Sequence, residues 1–389
     1  MGKVLIGAVA AALAAVLGAC GGGGGPSPSA GNGAGRGDGP AADGGGSSSG
    51  GARKLSLDER WAWAAPPPAG VGRPAADSEG AAVVAGLRRL VLVDGRGRQV
   101  WLVERSRLRD VAPALTPDLV VAATEEALVA YDRASGRPRW ELEVGERPNS
   151  PVVAGDRVVV TTWEGSLVAA DLATGRQVWK VPLGGASFGP AAARGTSVVA
   201  TFDTGRAAGV MAVDLASGRQ RWSVPVPPDG VSAPAVTAAG GGRDPLVVAV
   251  VGDATARALS LADGSERWRR EMVGAGSSEV PPLALADGSV LAAHRLGGMA
   301  QLAEADGAVL WEAHVASAAD RGAPAGPGPQ GWFALPLVDG PLLLAGPGLE
   351  TTIYEADGAV TGVALGPGGL LLVATRAASE NYLSAVEGW

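Results

Sequence analysis

The sequence predicts an all-β protein, a ring of four-stranded antiparallel blades forming a β-propeller, and three observations carry that prediction. An eleven-residue phrase occurs three times, as AYDRASGRPRW (130–140), AADLATGRQVW (169–179) and AVDLASGRQRW (212–222). Looser copies ending in Trp101, Trp268 and Trp311 extend the series, so one tryptophan recurs about every 40 residues from 101 to 311. Recurrence at that period marks a repeat architecture in which each unit needs its neighbour. The third observation is composition. Among 389 residues there are 61 Gly and 28 Pro, with only 4% aromatics, which is punctuation for many short strands.

The phrase has a physical reading. An apolar run precedes each Asp, a tight turn follows, and a second strand brings back the Trp. Asp accepts hydrogen bonds from backbone amides just ahead of it, and Gly adopts the positive φ that closes a hairpin. Asp132, Gly136 and Trp140 are therefore turn, closure and returning strand, as are Asp171, Gly175 and Trp179, and Asp214, Gly218 and Trp222. Gly264 with Trp268, Gly307 with Trp311, and Gly97 with Trp101 keep the closure and the indole; Ser260 stands where the Asp of the fifth copy belongs. A Trp buries roughly 150–250 Å², more than one small sheet covers, so it must dock against the next repeat.

The phrase divides the chain into blades at about 72–104, 111–144, 150–182, 188–225, 232–273 and 280–315. After a Gly/Pro loop at 320–330, strands are expected near 332–335 and 341–345; 351–358 (TTIYEADG) aligns with the turn, with Gly362 where the Trp belongs. Two or three further strands fall within 368–389. Trp61 and Trp63 sit on a lone strand near 57–66 that lacks its three predecessors. An incomplete last blade and an orphan first strand complement each other, so the N-terminal strand is expected to close the ring. The count is eight blades, with seven the competing number.

The start of the chain is of another kind. Residues 1–19 have one early lysine, an apolar run and small residues at the end, the form of a secretory signal. The run 4–19 is shorter than the ~20 residues of a membrane-spanning helix. Leu17-Gly18-Ala19-Cys20 resembles the bacterial lipobox, which implies acylation of Cys20, the single cysteine of the chain. Residues 20–55 are nearly all Gly, Ser, Pro, Ala and Asp and read as a flexible tether with a reach on the order of 30 Å. Within it Arg36-Gly37-Asp38 matches an adhesion tripeptide, which chance explains in such a composition. Residues 56–389 are the propeller.

The phrase resembles the repeat of the pyrroloquinoline-quinone-type (PQQ-like) β-propellers. That family includes a propeller lipoprotein of the outer-membrane β-barrel assembly machinery as well as enzymatic quinoproteins. The resemblance implies that the phrase spans the third-to-fourth-strand turn and that its Trp docks between blades. In the enzymes it also implies a quinone beside Ca²⁺ held by acidic and amide ligands, often with a disulfide of adjacent cysteines. With one cysteine and no matching ligand set, no quinone and no other cofactor is expected here.

Other chemistry finds little footing in the residues. A net charge of −7 without a basic patch argues against nucleic acid. His294 and His314 lack further ligands for a metal site, and no nucleophile elbow or phosphate-binding glycine loop occurs. Arg133, Arg137, Arg139, Arg176, Arg219, Arg221, Arg267, Arg269 and Arg270 gather in the repeat turns, as solvated charge or as a rim for an acidic partner or anionic lipid. The expectation is a monomeric, lipid-anchored, extracytoplasmic bacterial propeller that binds another extracytoplasmic protein or a wall component and catalyses nothing. The competing expectation is a quinone-binding oxidoreductase.

Overall fold

A computed structural model describes residues 58–65, 70–85, 87–228, 230–238, 244–252, 254–273, 280–314, 324–326, 331–337, 341–346, 352–354, 356, 358–376 and 381–387. Cys20, the leader over 1–19 and the tether over 20–55 lie outside the described residues.

Eight antiparallel sheets follow one another among the described residues, seven of four strands and one of three. Blade three shows the pattern. Val152–Ala154, Arg157–Thr161, Ser166–Asp171 and Gln177–Pro182 pair in sequence order from the axis to the rim. Side chains alternate along each strand, which is what lets one sheet serve two neighbours. Val158, Val160, Val168 and Ala170 pack toward blade two, whereas Val159, Leu167 and Ala169 pack toward blade four. The other blades occupy 75–104, 114–143, 192–226, 235–271, 283–314, 333–354 and 359–387. Each of the eight seams holds its own apolar cluster, so the core is a ring of interfaces and not one central mass.

The ring closes through the N-terminal strand. Asp58–Ala65 pairs antiparallel with Asn381–Glu387, from Asp58 opposite Glu387 to Ala65 opposite Asn381, and forms the outermost strand of blade eight. Trp63 and Ala65 fill the seam to blade one beside Val83, Leu372 and Leu383. Joining the two ends of the chain in one sheet removes the edges that an open row would expose.

The last blade takes the N-terminal strand as its outermost one, as expected. One expectation is corrected, the place of Gly362. In blade seven Ala325 bridges Ala334 through both its N–H and its carbonyl, so the order outward from the axis is Ala325, Phe333–Pro336, Leu342–Ala345 and Thr352–Tyr354. Ala359–Leu365 is already the innermost strand of blade eight, paired with Leu371–Arg376. Gly362 consequently stands on an inner strand, where an added Cβ would come 3.0 Å from Arg73 Cα, and not in the place of a docking Trp. Nearby, Thr361 Oγ1 donates to the Val71 carbonyl at 2.6 Å, tying blade eight to the approach of blade one. The seam between blades seven and eight is filled instead by Trp332, fully buried with Leu342, Leu344, Val360 and Leu371.

The strand order gives the wheel two faces. One carries the turns of the repeated phrase. The other, the loop face, carries the second-to-third-strand turns and the connections between blades.

Candidate functional site

The repeat residues form a set of seam locks. In blade three, Asp171 Oδ1 accepts from Thr174 N at 2.9 Å and Thr174 Oγ1 at 2.6 Å, and Gly175 N donates back to the Asp171 carbonyl at 2.8 Å. The turn so held presents two things to blade two. The Leu172 carbonyl accepts from Trp140 Nε1 at 2.8 Å, and Gly175, at φ 71°, lies under the indole, where a Cβ would stand 2.6 Å from the ring. Only a residue without a side chain tolerates both the φ and the contact.

The same lock recurs around most of the wheel. Trp101 donates to the Arg133 carbonyl at 2.7 Å over Gly136, and Trp179 to Leu215 at 2.9 Å over Gly218. Trp222 donates to Leu261 at 2.9 Å over Gly264, and Trp268 to Glu304 at 2.7 Å over Gly307. Asp132 and Asp214 hold their turns through Ser135 and Ser217 as Asp171 does through Thr174. Trp61 belongs to the set as well, donating to the Gly95 carbonyl at 3.2 Å over Gly97, although its strand carries no copy of the phrase. In blades five and six the bracing carboxylate has moved. Asp263 accepts from Ser265 N and Oγ, and Asp306 accepts from Ala308 N. Trp311 departs from the rest. Its Nε1 donates to Gln301 Oε1 of its own blade at 2.5 Å, its ring lies 6.0 Å from that of Phe333, and it stays half-buried.

The turn arginines are largely committed within the chain. Arg133 is buried against Asp77, and Arg221 holds Asp214 at 2.6 Å with Thr196 and Ser197. Arg139 pairs with Asp132, Arg269 with Glu266, and Arg270 Nε donates to the Gly307 carbonyl. Arg137, Arg176, Arg219 and Arg267 are exposed.

A different cluster stands on the loop face across blades two to four. Trp163, in the second-to-third-strand turn of blade three, has the guanidinium of Arg109 5.0 Å and that of Arg147 4.8 Å from its ring centroid. Phe188, 63% exposed, meets Trp163 edge-on at 5.8 Å. Trp163 Nε1 donates to Asn149 Oδ1 at 2.9 Å. Buried Asn149 in turn donates to Thr161 Oγ1 and to the Ser187 and Gly189 carbonyls. Arg147 is fixed by Glu164, which accepts from its Nε at 2.8 Å and its backbone N at 2.9 Å. Sequence reasoning missed this platform, because it gathers single residues from four separate loops outside the repeated phrase.

Buried His294 donates from Nε2 to the Val273 carbonyl at 2.9 Å while Nδ1 accepts from Leu296 N, so both ring nitrogens are engaged; burial pushes its pKa down. Its ring lies 6.4 Å from that of His314. Among the described residues no group of three or more His, Cys, Asp or Glu is placed to hold a metal ion, and no helix is long and apolar enough to cross a membrane.

A family model described as outer membrane protein assembly factor BamB matches residues 88–187 and 164–346, more than half of the chain. No curated protein matches it. Among solved structures, BamB from Moraxella catarrhalis superposes with a TM-score of 0.64 at 16% identity, covering 85% of this chain and 98% of that one. A europium-containing methanol dehydrogenase gives 0.67 at 13% identity, over 84% and 85% of the two chains. The quinohemoprotein alcohol dehydrogenase from Comamonas testosteroni gives 0.65 at 12% identity, over 85% and 76%. At such identities the likeness is one of fold.

Proposed function

We propose a function from one fact of kinship: the chain belongs to the PQQ-like repeat family described as outer membrane protein assembly factor BamB. On that premise it is a non-catalytic, extracytoplasmic propeller that docks another protein on its loop face. A lipid on Cys20 and the tether over 20–55 hold it to a bacterial membrane. The seam-locking tryptophans are structural in this reading and leave the loop face to do the binding.

The observation that carries the reading is the platform of Trp163, Phe188, Arg109 and Arg147. Trp and Arg are the residue types in which the binding energy of protein interfaces concentrates, and a large exposed aromatic such as Phe188 on a rigid base marks an interaction surface. The base is rigid because Asn149 fixes the indole from beneath. The dehydrogenases share the fold at 13% and 12% identity, and no chemistry carries over from them.

Crosslinking in intact cells followed by mass spectrometry tests this. Wild-type chain is expected to give a discrete partner linked near 109, 147, 163 and 188, lost in Phe188→Ser with Trp163→Ala. An unchanged crosslink pattern in that variant contradicts the reading. So does dye-linked alcohol oxidation by purified protein supplied with quinone and Ca²⁺.

A further inference from the structure

We infer that the Trp163 platform receives a carboxylate presented on an extended segment of its protein partner, with Arg109 as the receiving cation. The inference rests on the protein-binding reading above and names the chemistry of the bound segment.

Two arginines make the case by contrast. The side chain of Arg133 is 8% exposed and that of Arg109 11%. Arg133 is held at both Nη atoms: Nη1 donates to Asp77 Oδ2 at 2.5 Å and to the Thr116 carbonyl at 2.8 Å, and Nη2 donates to Asp77 Oδ1 at 2.8 Å. Arg109 makes no side-chain hydrogen bond among the described residues, and its Nε is buried without a partner. Its nearest anion is Glu125 at 3.5 Å, itself 41% exposed and therefore screened by water. Burial pushes the guanidinium pKa down, and neighbouring Arg147 adds to the effect. A desolvated cation with open donors is costly to keep unless something completes it. The fold nevertheless holds it in place, stacked on an indole that is itself pinned by Asn149.

The surroundings select the ligand. Glu125 and Glu164 flank the two arginines and pair with them, so the cluster is close to neutral and accommodates one added negative charge better than the two of a phosphate. Exposed Phe188 lies beside Trp163 and offers apolar contact to a residue next to the acid. The segment recognised is thus an Asp or Glu adjacent to an aliphatic or aromatic side chain.

The test is to pan a displayed random-peptide library on the full chain and measure synthetic peptides from the selected sequences by fluorescence anisotropy. The expected sequences carry an acid beside an apolar residue. Changing that acid to its amide weakens binding at least tenfold, Arg109→Leu does the same, and Arg109→Lys loses less. The denaturation midpoint of Arg109→Leu stays at or above that of the wild type, because an under-paired buried cation is removed. Selected peptides that require Phe188 but tolerate the amide overturn the carboxylate while leaving the binding face standing, as do phosphoserine versions that bind more tightly than the acid. A library with no sequence dependent on Phe188 overturns both.

Discussion

The indole N–H of Trp140 donates to the Leu172 carbonyl at 2.8 Å while its ring covers Gly175, so a single side chain of blade two is gripped at two points by one turn of blade three. Lock and turn are inseparable here, because the residues that shape the hairpin are the ones that present the acceptor and the seat. Stability of the wheel is therefore lodged in its seams, and seams are where substitutions should register.

Trp179→Ala should cost about 3–5 kcal/mol, as for deletion of a buried aromatic. Trp311→Ala should cost less than half of that, since Trp311 is half-buried and donates only to Gln301 of its own blade. Denaturant unfolding of the two variants side by side measures the difference; equal losses would contradict the lock.

Gly175→Ala meets both the positive φ of 71° and the Trp140 ring, and is expected to lose about 2–4 kcal/mol from strain and overpacking together. Gly155 also has a positive φ, 57°, but nothing lies within 4 Å of an added Cβ, so Gly155→Ala should lose only about 1 kcal/mol. Combining Gly175→Ala with Trp140→Ala should recover part of the loss, and strict additivity in that cycle would rule out the contact.

Acid should loosen the turns. The carboxyl of Asp214 is held down to about 2 in the folded chain, first by Arg221 and then by Ser217, against an ordinary 3.8. Asp263 is likewise held to about 2, first by the Ser265 backbone N–H. Both groups release their proton more readily when folded, so their contribution is complete above pH ~4 and is lost as the pH falls through ~2. The melting temperature should drop across that window, and Asp214→Asn with Asp263→Asn should flatten the drop; an undiminished slope would place the acid sensitivity elsewhere.

How much of this was legible in the sequence differs by level. The phrase announced the propeller because Asp, Gly and Trp at fixed offsets serve one local geometry, and local geometry is written locally. Ring closure was legible because Trp61 and Trp63 stood on a strand without companions. The place of Gly362 misled because Ala356-Asp357-Gly358 imitates the phrase, although the strand that follows it, Ala359–Leu365, opens blade eight by pairing with Leu371–Arg376. The platform was not legible at all. Arg109, Arg147, Trp163 and Phe188 come together only after three blades have packed, and nothing in their spacing records it.

Arg133→Met should be costly where Arg109→Leu is not. It leaves Asp77 without its two-pronged partner, and Asp77 is a third exposed, so the loss should be about 2–3 kcal/mol, below the 3–5 of a fully buried pair. Parallel denaturation curves of the two variants decide it; a loss in Arg109→Leu equal to that in Arg133→Met would mean both arginines are structural.

Deleting the chain through Ala65 removes the outermost strand of blade eight and bares the edge of Asn381–Glu387. The expected outcome is concentration-dependent association, read by light scattering after size exclusion, because an uncapped strand pairs with another molecule. A monomer with an unchanged melting temperature would show that the ring does not depend on its first strand.

The most direct test of the account places a photoreactive phenylalanine analogue at position 188 on the loop face and, separately, at position 96 in a phrase turn on the opposite face, and irradiates intact cells. The account predicts one discrete adduct from position 188 and none from position 96. An adduct from position 96 alone would contradict it.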